Sequence, residues 1–275
     1  MALIKLSIIT INYNDAAGLE ATIQSVVTQT WRDVEFIVID GGSTDESKTV
    51  LEKYRQDIAY SISEKDKGIY NAMNKGIDAA KGEYLLFLNS GDTLFNDAVL
   101  GTVVPSLKDA GILYGDLLIK EPAKEWVKHY NERLTFDYFM RDTLPHQGAF
   151  ISRELLIKAG KYDESLKIVA DWKFFLDAVC KYEATTKYLP QVISIYDYTG
   201  ISSKPEYFAV QLEEKKKVLT SGYPLHADSY RELEDLRYLK RHYEDLTKNF
   251  FVRKIFALQL KSRALSGRFK KLFKK

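Results

Sequence analysis

The sequence predicts an α/β fold: a mostly parallel sheet flanked by helices, followed by a helical C-terminal appendage. Three observations carry that expectation. Apolar, β-branched runs alternate with amphipathic helical patterns through the first hundred residues. Each of those runs ends in a polar, turn-forming cluster. From Pro205 onward the pattern is helical throughout.

Lys5–Ile11 reads as a buried strand closed by Asn12-Tyr13-Asn14-Asp15. Leu19, Ile23, Val26 and Val27 then recur at helical spacing, with Asn14 or Asp15 placed to cap the helix. Val34–Ile39 is a second strand, ended by Asp40-Gly41-Gly42-Ser43-Thr44-Asp45. Ser43 or Thr44 is the expected cap of a helix bearing Val50, Leu51 and Tyr54. Ile58–Ser63 is a third strand, Ile69–Ala80 a third helix, and Glu83–Leu88 a fourth strand broken at Asn89-Ser90-Gly91-Asp92. Such alternation implies right-handed crossovers, and ligands in such sheets sit beyond the carboxyl ends of the strands. The clusters Asn12–Asp15, Asp40–Asp45, Glu64–Gly68 and Asn89–Asp92 therefore fall along one sheet edge. Strand ends need turn residues in any case, but four acid-containing clusters in succession point to a ligand site.

The second half reads as a helix over Asp97–Asp109, a strand near Ile112–Ile119 and a hairpin partner around Glu125–Tyr130. A polar-aromatic stretch, Leu134–Met140, and the segment Leu144–Ser152 follow. Arg153–Ala159 and Val169–Tyr182 read as helices and Tyr188–Tyr198 as a strand, with Gly222-Tyr223-Pro224 punctuating the helical remainder. The expected division is residues 1–204 and an appendage over 205–275.

Composition removes several classes. With 45% hydrophobic and 28% charged residues, disordered and collagen-like chains are excluded. A single cysteine, Cys180, excludes a disulfide framework and a Cys-based zinc site. The net charge of +2 hides an asymmetry: nine Lys/Arg and no acid follow Asn249, leaving 31 basic against 38 acidic groups before it. A nucleic-acid binder is not built this way, so no nucleic-acid partner is expected. The first residues lack a signal-peptide pattern and no apolar run approaches the roughly 18 residues of a membrane span, so a cytoplasmic location is expected.

No two glycines are separated by a single residue, so G-x-G-x-x-G is absent, and G-x-x-x-x-G-K-[ST] is absent too. Dinucleotide-dependent dehydrogenases and P-loop enzymes thus lose their sequence support. A nucleotidyltransferase loop of the G-x-x-x-R-x-x-P-x-x-K type is also missing. A sheet without such loops can hold a diphosphate through a divalent cation, Mg²⁺ or Mn²⁺, bridged to a carboxylate. Asn89-Ser90-Gly91-Asp92 suits that task. For Asp40 two readings stand: accepting a nucleobase imide N–H, or bracing the Gly41-Gly42 turn.

These residues also carry a resemblance. Ser7-Ile-Ile-Thr-Ile-Asn-Tyr-Asn14 resembles the opening strand of family 2 glycosyltransferases, and Asp40-Gly-Gly-Ser-Thr-Asp45 their D-D-G-S-x-D motif. The run from Asn74 to Asp92 is similar to their N-x-G-x-x-x-A-x-G-x-[YF]-[IL]-x-x-L-x-x-D-D segment. The resemblance spans roughly residues 5–200 and is most like bacterial surface-polysaccharide transferases of the colanic acid type. It implies a Rossmann-like, glycosyltransferase A-type domain, a nucleotide-sugar donor (a UDP-sugar), a divalent metal, inversion, and a glycan acceptor, commonly lipid-diphosphate-linked. A non-catalytic nucleotide-sugar binder of the same fold is the alternative. Carried over, the resemblance implies donor contacts from Thr10, Asn12, Asp40, Asp66, Asn74 and Asn89, and Asp92 as the metal ligand. Asn89 stands where the family's first metal-motif Asp is usual, and Gly41 where the second Asp of the first motif is.

Glu64-Lys-Asp-Lys-Gly-Ile-Tyr70 matches the same subgroup, placing Asp66 and Lys67 near the donor. Inverting transfer needs a carboxylate to take the acceptor proton. Ala170-Asp171-Trp172 resembles the family's E-D-x-x-[FL] motif, which implies Asp171 as that base; unaided, Asp171 reads first as a helix N-cap or first-turn acid, the commoner fate of such residues. His146, in Pro145-His-Gln-Gly-Ala-Phe150, is expected at the diphosphate or acceptor. Trp172 is expected either to stack on a sugar or to lie in the core. From Phe250 the chain reads as a basic amphipathic helix that either lies on the inner face of the cytoplasmic membrane or packs on protein, including a second subunit.

Overall fold

The computed structural model describes residues 4–121, 123–197, 205–247 and 254. The chain divides into two compact units, Met1–Val218 and Leu219–Lys275. The expected strand end at Tyr198 and, but for Lys254, the basic tail lie outside the described residues. No helix among the described residues is long and apolar enough to cross a membrane.

The first unit is built on one sheet. Its strands are β1 (Leu6–Asn12), β2 (Glu35–Asp40), β3 (Tyr60–Ser63), β4 (Tyr84–Phe87), β5 (Thr93–Leu94), β6 (Ile112–Glu121), β7 (Lys124–Lys128), β8 (Ala149–Ser152) and β9 (Thr186–Asp197). Their order is β3-β2-β1-β4-β8-β6-β9-β5, with β7 paired to the far part of β6. β3, β2, β1 and β4 run parallel; β8 enters antiparallel between β4 and β6. β1 and β2 are buried along their whole length, which is why LSIITIN and EFIVID carry so little polarity.

Helix α1 (Ala16–Val27) buries Leu19, Ile23 and Val26 against one face, with Leu6, Ile8, Phe36, Val38 and Leu86. Asp15 caps it, accepting from Gly18 N at 3.0 Å. Helices α2 (Ser47–Lys53) and α3 (Ile69–Ala79) complete the crossovers. α3 packs on β1 so closely that a Cβ on Gly76 would lie 2.4 Å from Ile9 Cγ2, and in the connection from α3 to β4 a Cβ on Gly82 would lie 2.5 Å from Ser7 N. On that side Phe87, Tyr162 and Phe174 form an edge-to-face aromatic ladder. Helices α4 (Val99–Val103), α5 (Phe136–Arg141), α6 (Arg153–Lys158) and α7 (Ala170–Cys180) surround the second half of the sheet. α8 (Phe208–Gly222) follows, and α9 (Pro224–Thr247) opens with proline at its first position, where the missing N–H costs nothing.

Several local expectations change. The helix expected over Asp97–Asp109 ends at Val103 and tightens into a 3₁₀ turn at Val104–Ser106, where Pro105 cannot donate. Part of Leu134–Met140 is helical, capped by Thr135 Oγ1 accepting from Tyr138 N at 3.2 Å. β5 is two residues long, too short for periodicity to reveal. Neither Ser43 nor Thr44 caps α2, which begins at Ser47 without a side-chain cap. Ser43 has turned to Asp40 instead, with Oγ donating to Oδ1 at 2.5 Å.

Candidate active site

A cleft of about 780 Å³ opens at the carboxyl ends of β1, β2 and β4. It is lined by Asn12, Tyr13 and Asp15, the Gly41-Gly42 turn, Lys65, Asp66 and Gly68, the Asn89–Asp92 turn, and, from the second half, His146, Lys167, Ile168, Asp171 and Tyr196. Asn12 ties these loops together. Its Nδ2 donates to Asp40 Oδ1 at 2.7 Å and to Ser47 Oγ at 2.9 Å, while Oδ1 accepts from Ser90 Oγ at 2.8 Å. Thr22, on α1, fastens the last loop: its hydroxyl accepts from Gly91 N at 3.1 Å and donates to the Asp92 carbonyl at 2.7 Å. Gly91 has φ +95°, a left-handed conformation that keeps this turn tight.

Asp40 is fully buried and accepts from Asn12, Ser43 N (3.0 Å), Ser43 Oγ and Ser63 Oγ (2.5 Å). Burial opposes its ionisation, but the hydrogen bonds from Ser43, Ser63 and Asn12 outweigh it and hold its pKa below the ordinary carboxylate value. Both oxygens are taken up within the protein, so of the two readings the turn-bracing one describes its geometry. Asp66 is the carboxylate that lines the cleft, with Oδ1 accepting from Lys75 Nζ at 2.6 Å. A Cβ on Gly41 would stand 3.1 Å from Asp66 Oδ2 and 3.2 Å from the Tyr13 ring. The glycine at the family's second Asp position thus leaves room for both. Tyr13 itself is 68% exposed on the cleft wall.

Besides Asp40, three expected contact residues do not reach the cleft. Thr10 is fully buried and donates to the Leu88 carbonyl at 2.7 Å. Asn74 clamps Tyr162, donating to its carbonyl at 2.9 Å and accepting from its N–H at 3.1 Å. Trp172 is 2% exposed, with Nε1 donating to the Phe139 carbonyl at 2.6 Å. All three hydrogen-bond inward because the strand and helix positions they occupy face the packed interior.

His146, Asn89 and Asp171 do come together. Asn89 Nδ2 lies 3.1 Å from His146 Nε2, and His146 Nδ1 lies 3.4 Å from Asp171 Oδ2. Burial disfavours the charged imidazole, but the hydrogen bond and charge of Asp171, with the charge of Asp92, raise the His146 pKa above its ordinary value. Asp171 Oδ1 also accepts from its neighbour's N–H, Trp172 N, at 2.8 Å and stands 3.1 Å from the Tyr70 hydroxyl. That hydroxyl is 2.6 Å from the Ile168 carbonyl; burial, then the Asp171 charge, keep it protonated. Tyr13, Thr22 and Tyr70 were not singled out by the sequence. Only an aromatic inside the Asn12–Asp15 cluster hinted at the first.

Among the described residues no three His, Cys, Asp or Glu side chains converge as a metal cage. Two oxygens on one turn suit a hard cation that completes its shell from a phosphate: the Asp92 carboxylate and Asn89 Oδ1, which is buried with no hydrogen-bond partner. Asp92 is 5% exposed and lines the cleft.

The sequence profile of Glycosyl transferase family 2 matches residues 7–158. A PGL/p-HBAD biosynthesis glycosyltransferase of Mycobacterium bovis is 30% identical over 211 residues, covering 74% of this chain and 81% of its own. An uncharacterized glycosyltransferase of Mycobacterium tuberculosis is 35% identical over 219 residues, with 74% and 79% covered. Among solved structures, S. aureus TarS 1-349 in complex with UDP-GlcNAc superposes with a TM-score of 0.63 at 18% identity, over 78% of this chain and 66% of that one. The chain spans 40% of another TarS structure. Mannosyltransferase PcManGT from Pyrobaculum calidifontis, in complex with GDP-Man and Mn²⁺, gives 0.55 at 16% identity over 98% and 88%. At such identities the structural likeness is one of fold, the glycosyltransferase A type. With the profile, the relatives and the strand-end cleft in agreement, the chain belongs to glycosyl transferase family 2 and is a glycosyltransferase.

Proposed function

We propose that the protein transfers a sugar from a UDP-sugar to a glycan acceptor with inversion at the anomeric carbon, Asp171 serving as general base. The observation that carries this reading is the span Asn89–His146–Asp171, in which one imidazole joins the turn bearing Asp92 to the carboxylate on α7. An acid suited to a diphosphate-bound cation and an acid suited to a proton therefore serve one cleft from different elements.

Tyr13 offers a face for the nucleobase, and Asp66 an acceptor for its imide N–H. Asp40, Thr10, Asn74 and Trp172 act as supports: Asp40 holds the Gly41-Gly42 turn under the donor, and Asn74 holds the Tyr162 loop. A Mg²⁺ or Mn²⁺ ion at Asp92, when bound, neutralises charge on the diphosphate leaving group. Asp171 takes the proton of the acceptor hydroxyl as its oxygen bonds to the anomeric carbon and the bond to the diphosphate breaks. Tyr70 and His146 hold the carboxylate toward that hydroxyl. The acceptor is a lipid-diphosphate-linked glycan, and the basic tail from Phe250 attaches the protein to the membrane that carries it.

A panel of UDP- and GDP-sugars, scored for Mn²⁺-dependent transfer or hydrolysis, tests the donor. Asp171→Asn should lower turnover by roughly 10²–10⁴-fold while UDP binding persists. Near-normal turnover in that variant overturns the base assignment, a product of retained anomeric configuration overturns inversion, and full activity in EDTA overturns the metal.

A further inference from the structure

The segment that delivers Asp171 is gripped from outside the family-matched region, which ends at residue 158. Glu214, on α8, accepts three successive backbone N–H groups just before α7: Lys167 N at 2.6 Å, Ile168 N at 3.1 Å and Val169 N at 3.3 Å. These N–H groups belong to the segment that leads into α7, whose N-cap position, Val169, makes no side-chain cap hydrogen bond of its own. The carboxylate therefore anchors the segment that leads into α7 from another helix. The adjacent Lys215 places its Nζ 5.1 Å from the centre of the Trp172 ring. Burial there pulls its pKa below the ordinary lysine value.

These two neighbours on α8 hold the chain on either side of Asp171, one at residues 167–169 and one at residue 172. The held segment is part of the site: Lys167 and Ile168 line the cleft, and the Ile168 carbonyl receives the Tyr70 hydroxyl that also reaches Asp171. Freeing residues 167–169 would release the carbonyl that orients Tyr70 and the helix start that aims the carboxylate.

We infer that Glu214 is a positioning residue for Asp171, fixing the base by anchoring residues 167–169, which lead into α7, from α8; the inference rests on the base role given to Asp171. It acts on proton removal and leaves the donor side, built on β1, β2 and β4, alone.

Three variants of the full chain test it: Glu214→Ala, Glu214→Gln and Asp171→Asn. Each is measured for amide exchange over residues 166–172, for UDP binding with Mn²⁺, and for UDP release from the donor found active in the panel. In Glu214→Ala, exchange at residues 167–169 should rise at least about tenfold. Turnover should fall up to about 10²-fold, the scale of a misplacement near 1 Å, with UDP affinity within about threefold of wild type. Glu214→Gln keeps one accepting oxygen and should recover part of both losses, which also covers the case in which the alanine variant folds poorly. Wild-type turnover in Glu214→Ala, unchanged exchange at 167–169, or equal loss of turnover and UDP affinity in both Glu214 variants overturns the inference. If Asp171→Asn is impaired and Glu214→Ala is not, the positioning role alone falls. If Asp171→Asn keeps its turnover, the base assignment falls and the positioning role with it.

Discussion

Asn12 and Asp40 are register partners at the ends of adjacent parallel strands, and their side chains meet at 2.7 Å. Two polar residues buried at the same level of a sheet would be costly apart. Together, with Ser43, Ser63 and Ser90, they fix the relative positions of the strand-end loops that form the cleft.

Asp40→Asn should therefore destabilise the fold by about 3 kcal/mol at pH 7, because the replacing amide turns a donor toward groups that themselves donate. The pKa of Asp40 is depressed in the folded state, so its stabilisation is present above the unfolded value near 3.8 and is lost as pH falls through the folded one. The gap between wild type and variant should narrow below that point. Urea unfolding at pH 7 and near pH 3 measures both; equal midpoints at pH 7 would contradict the role.

Asp92→Ala should abolish the Mn²⁺ dependence of UDP binding. Asn89→Asp adds a second carboxylate to the same turn and should strengthen that dependence several-fold, since hard-cation affinity follows ligand charge. Calorimetric titration with and without Mn²⁺ reads both variants. Identical metal dependence in all three proteins would remove the turn from the metal account.

Tyr13→Ala should weaken UDP binding by about 1–3 kcal/mol, the worth of an aromatic platform to one base, and Tyr13→Phe should restore it. An unchanged dissociation constant in the alanine variant would show that the base lies elsewhere.

The full chain should float with anionic liposomes and a chain ending at Lys248 should not, because each basic residue near such a surface contributes about 1 kcal/mol. Flotation of both, or of neither, takes the tail out of membrane attachment. Loss of a dimer on truncation assigns the tail to packing.

Much of the architecture was legible locally. Burial on both faces writes β1 and β2 as unbroken apolar runs, and turn residues mark each strand end, so the parallel half of the sheet and the edge carrying the cleft follow from periodicity. The motif glycines are legible too, although their reason is packing: Gly76 and Gly82 admit Ile9 and Ser7. Asn89, Asp92, His146 and Asp171 were named from sequence and do gather at one cleft.

What the chain could not show in one dimension is which way a polar side chain turns. Asp40 and Asp66 both follow strands and both belong to recognisable motifs, yet one is sealed by four donors and the other lines the cleft. Trp172 and Asp171 are adjacent, and a helix sends one into the core and the other to the cleft because consecutive positions differ by about 100°. Glu214 lies 43 residues beyond Asp171 and carries no motif. By itself the sequence determined the parallel half of the sheet, its working edge and the family, because burial and turn formation are properties of short segments. The tertiary structure alone decided which carboxylates face the cleft and what holds Asp171 there, because hydrogen bonds between distant segments exist only once the chain has packed.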